Sequence, residues 1–199
     1  MIDTVAETRP DRRPALIICA YDVGDSAWDP IEDLSGTAWS PMGARTVAVP
    51  AGDPDRLASI LPAHLTDADC RAILLVGRTL RSDAFRVQMR AENRALSGGA
   101  KLSSTGPAMA RATAPVADMV RALTEAGLDA EASSEAEDDA GCFLLYSLLT
   151  NLRDDADAPA IGLLRAPIDV GASEVRRGVK AAAGAIAQNL SLLPRSRQV

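Results

Sequence analysis

Apolar residues fall along this chain in two rhythms. Continuous apolar runs at Ala15–Ala20, Cys70–Val76 and Ala160–Leu164 are bounded by proline, glycine or polar turns. Runs of that length suit strands buried on both faces, as in a parallel sheet covered by helices. Arg45–Val49 and Phe85–Met89 alternate instead and are rich in β-branched or aromatic residues, so they predict two further strands. A short strand or edge segment is expected over Asp129–Glu135.

Between these runs the period lengthens to that of a helix. Asp53-Pro54 supplies a cap followed by proline in the first turn, predicting a helix to about Leu61 that Pro62 ends or kinks. Val116, Met119, Val120 and Leu123 form an apolar stripe over Ala114–Ala126, closed by Gly127. A third helix starts behind Asp138 or Asp139 and runs to about Leu152. A fourth spans Glu174 to about Leu190 with Val175, Val179, Ala182, Ala183 and Ile186 inward. Strands alternating with helices predict an α/β protein, a three-layer α/β/α sandwich around a parallel-rich mixed sheet. The expected division is a disordered leader over 1–14, one α/β domain over 15–190 and a flexible tail over 191–199.

Composition narrows this picture. With 199 residues, 47% of them hydrophobic, the chain can bury a sizeable core, yet aromatics are only 3%, so that core rests on Leu, Val, Ile and Ala. A net charge of −6 argues against a nucleic-acid partner, and the basic clusters at Arg9–Arg13, Arg176–Lys180 and Arg195–Arg197 are short enough to be solvated faces. Three scattered cysteines fit a reducing, cytoplasmic location better than a disulfide scaffold. The polar first fourteen residues do not read as a signal peptide, and no apolar run approaches the roughly 20 residues of a membrane span. The bunched carboxylates of Arg153–Asp157 read as solvated, His64 as structural or solvated, and no metal site or cofactor is expected.

Candidate chemistry gathers where the third helix begins. Cys142 lies in its first turn, where free N–H groups and the helix dipole favour a thiolate. The segment from Ala140 to Tyr146 resembles the Ala-Gly-x-Tyr-x-Cys-Asn signature of the pyrrolidone carboxyl peptidases (pyroglutamyl peptidase I), cysteine peptidases that remove an N-terminal pyroglutamyl residue. On that match Ala140-Gly141 keep the Ala-Gly, Phe143 takes the Tyr position, Leu145 the catalytic Cys and Tyr146 the Asn. Gly162–Pro167 is similar to the Gly-Phe-x-His-x-Pro strand, with Arg165 at the catalytic His. Counting back from Asn93 puts Gln88 at the catalytic Glu and Leu80-Arg81-Ser82 at a Gly-Gly-Arg loop, with Arg81 one position from the motif's Arg. Tyr21 keeps one aromatic of the Thr-Gly-Phe-x-Pro-Phe-Gly motif that follows the first strand, the second falling on Gly24, while Trp28 or Trp39 can refill the space or pin the loop. The link between Asn93 and Pro107 is shorter than in those peptidases.

The resemblance implies their fold, but the matched triad positions carry different chemistry. Leu145 has no nucleophilic atom, Arg165 stays protonated, and Gln88 bears no charge, so no catalytic residue is expected at them. Cys142, three residues before Leu145 and near the same helical face, is the alternative nucleophile, or else a small buried side chain at a helix start. Arg165, Arg81 and Tyr21 are ligand-binding candidates for a small acidic ligand or a peptide N-terminus, against a reading in which Arg165 pairs with Asp138, Asp139 or Glu92. The leading expectation is a catalytically degenerate binding or interaction module. Removal of pyroglutamate through a rearranged site is the alternative, and self-association is open.

Overall fold

The computed structural model describes residues 11–21, 39–96, 100–137, 140–152 and 157–190. In chain order the elements are β1 (Ala15–Ala20), β2 (Arg45–Val49), α1 (Pro54–Leu65), β3 (Cys70–Thr79), β4 (Phe85–Gln88), β5 (Arg90–Glu92) and β6 (Met109–Arg111). They continue with α2 (Val116–Glu125), β7 (Ala130–Ser133), α3 (Ala140–Thr150), β8 (Ala160–Pro167) and α4 (Ala172–Gln188). Six strands form one sheet in the order β2-β1-β3-β8-β4-β7. Every neighbouring pair is parallel except β4 with β8, which makes the sheet mixed but parallel-rich, as the sequence predicts.

Pleat parity divides the core in two. Leu16, Ile18, Leu74, Val76, Leu164, Phe85 and Val87 face α2 and α4, whereas Ile17, Cys19, Ile73, Leu75, Ile161 and Leu163 face α1 and α3. The sandwich therefore has helices on both faces. On α4 the buried side chains include Ala182, Ala183, Ala185 and Ala187, so this helix packs with small residues where a poorly aromatic chain has few large ones. Trp39 packs against the same core, with the Lys180 ammonium 5.4 Å from its ring centroid.

Four boundaries depart from expectation. Helix α1 passes through Pro62 to Leu65, because Leu57, Leu61 and Leu65 form one buried stripe whose packing offsets the hydrogen bond that proline removes. His64 thus lies in the last turn of a helix rather than beyond it. Strands β3 and β8 run past Gly77 and Leu164 as a pair, in the register Gly77↔Arg165, Arg78↔Ala166 and Thr79↔Pro167. The stretch after Gln88, expected as strand end and link, instead contributes β5 and β6, a separate antiparallel pair. Asn93 holds the intervening loop, donating from Nδ2 to the Ser103 carbonyl at 2.7 Å and accepting from the Ser103 N–H at 2.9 Å. Residues 1–10 of the expected 1–14 leader, residues 22–38 with Trp28, residues 97–99, the Asp138 and Asp139 caps, Arg153 to Ala156, and the expected 191–199 tail lie outside the described residues. Among the described residues no helix is long and apolar enough to cross a membrane.

Candidate functional site

The face of the sheet that meets α3 changes character along β3 and β8. Ile73 and Leu75 give way to Gly77 and Thr79, and Ile161 and Leu163 give way to Arg165. Strand β4 carries Arg86 and Gln88 on the same face, since Arg86 pairs with Arg165 across the antiparallel ladder. Side chains two apart on a strand share a face, so the polar end is continuous over three strands. It lies at the carboxyl ends of β3 and β8, beneath the first turn of α3, and open α/β sheets bind ligands beyond such strand ends.

Arg165 is the centre of this end and is fully buried. Its Nη1 donates to Gln88 Oε1 at 2.6 Å, its Nη2 to Cys142 Sγ at 3.3 Å, and its Nε lies 3.8 Å from Glu137 Oε1. Gln88 is held in turn, donating from Nε2 to the carbonyls of Arg90 (2.8 Å) and Glu135 (2.9 Å). A second buried guanidinium, Arg86, donates from Nη1 to Glu137 Oε1 at 2.8 Å and from Nη2 to Ser133 Oγ. Glu131 and Glu135 flank Arg86 at 3.3 and 3.8 Å, but both are exposed, so solvent screens them. The Thr79 hydroxyl donates to the Glu137 carboxylate, 3.0 Å from Oε1 and 3.2 Å from Oε2. Two desolvated cations and a hydroxyl thus converge on one buried carboxylate.

The positions singled out in the sequence distribute as follows. Gln88, Cys142 and Arg165 come together in a single hydrogen-bonded group. Leu145 is buried in the apolar core between α3 and the sheet, with Leu144 and Leu148. Tyr146 donates from Oη to the Pro107 carbonyl at 2.6 Å and so ties α3 to the loop before β6. Arg81 is exposed, and only its backbone N–H joins the network, donating to Thr79 Oγ1 at 3.1 Å. Tyr21 is wedged between β3 and α3: a Cβ on Gly77 would lie 2.0 Å from its Cζ and Oη, and one on Gly141 2.5 Å from its Oη. Its ring fills the strand-end crevice beside Arg165, since Gly77 is Arg165's ladder partner. Of the acids expected at Arg165, Asp138 and Asp139 lie outside the described residues and Glu92 pairs with Arg94 at 3.2 Å, while Glu137 lies 3.8 Å from the Arg165 Nε.

Glu137, Arg86, Thr79 and Ser133 are the members that sequence reasoning missed. Arg86 and Gln88 carried a signal, because two polar side chains of one parity in a strand covered on both faces must meet each other or a partner. Glu137 had none, standing in an acidic stretch that reads as a helix cap.

A cavity of about 60 Å³ opens beside the cluster, lined in part by Glu92, Arg94, Glu137, Cys142 and Phe143. Among the described residues, Cys142 and Glu137 are the members of the cluster that line it. Cys19, on the same sheet face but deeper, has its thiol pushed up to about 12 by burial. The chain's single histidine, His64, lies at the far end of α1, so the cluster offers a thiol, a carboxylate and guanidiniums but no imidazole. Among the described residues no group of three or more His, Cys, Asp or Glu side chains is placed to hold a metal ion.

No protein-family model matches the chain, and none of the curated proteins does. Solved structures do. Pyroglutamyl peptidase I from Bacillus amyloliquefaciens superposes with a TM-score of 0.75 at 16% identity, over 88% of this chain and 95% of that one. Pyrrolidone carboxyl peptidase from Thermococcus litoralis gives 0.74 at 14% identity, over 88% and 94%. The enzyme from Thermus thermophilus gives 0.67 at 17% identity, over 85% and 98%. At these identities the likeness concerns the backbone: the chain has the fold of the pyroglutamyl, or pyrrolidone carboxyl, peptidases.

Proposed function

We propose that this protein is a catalytically degenerate form of that peptidase fold and acts as a binding or interaction module for a small acidic ligand recognised at Arg165. The observation that carries the reading is the buried Arg165–Gln88 hydrogen bond of 2.6 Å. These are the positions that match the catalytic His and Glu by resemblance, and here they satisfy each other. A guanidinium cannot take a proton from a thiol or hand one to a leaving amine, and an uncharged amide does not orient a base as a carboxylate does. Leu145, at the matching nucleophile position, is wholly buried and apolar.

One observation favours a second reading, an amide hydrolase working through Cys142. The Arg165 Nη2 contact of 3.3 Å to Cys142 Sγ, at the first turn of α3, is an arrangement that stabilises a thiolate. Release of a fluorophore from an L-pyroglutamyl amide under reducing conditions separates the two. The binding reading expects wild type and Cys142→Ala to be equally inactive. Turnover that disappears in Cys142→Ala would replace it with the hydrolase reading.

A further inference from the structure

We propose that the outer edge of β6 is a docking surface for an acidic peptide segment of another protein, which adds to the β5–β6 pair as a third strand. The inference concerns a surface other than the Arg165 site, and neither reading depends on the other.

The ladder fixes which backbone groups face out. Ala112 donates its N–H to the Met89 carbonyl at 2.9 Å, and Asn93 donates its own to the Ala108 carbonyl at 2.9 Å. In the register Arg90↔Arg111, Ala91↔Ala110 and Glu92↔Met109, hydrogen-bonded pairs alternate with open ones, so Ala91 and Ala110 exchange bonds while the flanking pairs do not. The N–H and C=O groups of Met109 and Arg111 therefore point away from β5, and among the described residues no third strand meets them.

Pleat parity fixes the side chains in the same way. Ala91 and Ala110 pack into the core on the α3 side. Arg90, Glu92, Met109 and Arg111 stand on the opposite face, where Met109 and Arg111 are exposed.

Charge then selects the partner. Arg90 and Arg111 oppose each other in an open pair, the arrangement that brings side chains closest, and like charges so placed repel. Nearby acids are turned elsewhere: Glu92 to Arg94 at 3.2 Å, and Glu131 and Glu135 to Arg86 at 3.3 and 3.8 Å. The Arg90 Nε donates to the Ser134 carbonyl, and among the described residues neither Arg90 nor Arg111 is in an ion pair. Between residues 89 and 112 the chain carries Arg90, Arg94, Lys101 and Arg111 against Glu92 alone, although its net charge is −6. A second copy of this edge would bring two more arginines to the same face. An acidic strand instead relieves the repulsion while pairing the outward backbone groups, with a carboxylate beside Arg111 and an apolar side chain two residues away beside Met109.

The test uses the full chain and an end-blocked, fluorophore-labelled peptide of sequence Glu-Thr-Val-Thr-Glu-Thr-Val-Thr. Fluorescence anisotropy should show saturable binding that weakens with salt and falls at least about tenfold in Arg111→Glu. Bound peptide should slow hydrogen exchange of the Met109 and Arg111 amides. N-methylating alternate peptide residues should abolish binding in one phase and spare it in the other, because successive amides of a strand face opposite edges.

Unchanged exchange at Met109 and Arg111 with peptide bound overturns the proposal, as does equal affinity of wild type and Arg111→Glu. So does a lack of saturable binding up to about 1 mM peptide. A short single-stranded oligonucleotide that binds as tightly and leaves those amides unprotected would make the face a general anion surface, and would overturn it as well. The pyroglutamyl assay tests the degenerate reading separately, since it reads turnover and not binding at β6.

Discussion

Alanine at Gly77 should be strongly destabilising, and removing Tyr21 should abolish the penalty. A Cβ built on Gly77 lies 2.0 Å from Tyr21 Cζ and Oη and 2.6 Å from Cε1. Non-bonded carbons settle near 3.5–4.0 Å, so the ring must retreat by roughly 1.5–2 Å. It has no slack toward α3, where a Cβ on Gly141 would already be 2.5 Å from its hydroxyl. Overpacking of a filled core costs about 1–3 kcal/mol, and full expulsion of a buried aromatic about 3–5 kcal/mol, which places Gly77→Ala near 3 kcal/mol. Backbone strain contributes nothing to that figure, because the positive-φ glycines among the described residues are Gly43 and Gly127.

Tyr21→Ala alone should cost about 3–5 kcal/mol by emptying the crevice. Independent effects would then sum to about 6–8 kcal/mol in the double variant, whereas the steric account puts Tyr21→Ala/Gly77→Ala within about 1 kcal/mol of Tyr21→Ala. Equilibrium urea unfolding followed by far-UV circular dichroism measures all four corners of this cycle. Additivity of the two substitutions within about 0.5 kcal/mol would refute the claim that the Tyr21 ring is what requires glycine at position 77.

Three further outcomes follow from particular side chains. Arg165→Met takes away the donor to the buried Gln88 Oε1 while Glu137 keeps Arg86 and Thr79, so urea unfolding should show a loss of about 1–3 kcal/mol, and no loss would contradict that. Pro62→Ala restores a donor inside α1 and should stabilise by about 1–2 kcal/mol, after the greater freedom it gives the unfolded chain is subtracted; a fall in the urea midpoint would contradict that. Burial raises the Cys19 thiol from 9.0 to about 12, so its contribution to stability is fully present below pH 9 and is lost as pH rises toward 12. Over that window wild type should lose roughly 1.4 kcal/mol per pH unit relative to Cys19→Ala, read from paired urea titrations.

Much of the fold was legible because hydrophobic period and element type are tied by geometry. The apolar runs at 15–20, 70–76 and 160–164 all became central strands, and the stripe of Met119 and Leu123 became the buried face of α2. Boundaries went astray where a neighbour decided them. Gly77 reads as a strand end until β8 pairs with it, and Pro62 reads as a helix stop until Leu65 is seen to be buried. The site was half legible. Gln88, Cys142 and Arg165 were singled out and do meet, but Arg81 was placed by counting along a loop and stands exposed, and nothing local distinguishes Glu137 from the acids beside it. Which acid of a run turns inward depends on how the chain enters α3, a tertiary outcome that no residue period encodes.

The composition of the α3 face has a further consequence. Where this face serves packing alone, along the first halves of β3 and β8, it carries Ile73, Leu75, Ile161 and Leu163. At the carboxyl ends the same face carries Arg86, Gln88 and Arg165, all buried, although the fold could close there with aliphatic side chains. Buried ion pairs seldom outperform apolar residues of equal volume, and their replacement is often neutral or stabilising by about 1–4 kcal/mol. Stability is therefore a poor reason for two desolvated guanidiniums to converge on one carboxylate beside a cavity. Recognition of an acidic group is a sufficient one, because a receptor for a carboxylate must carry buried cations whether or not the ligand is present.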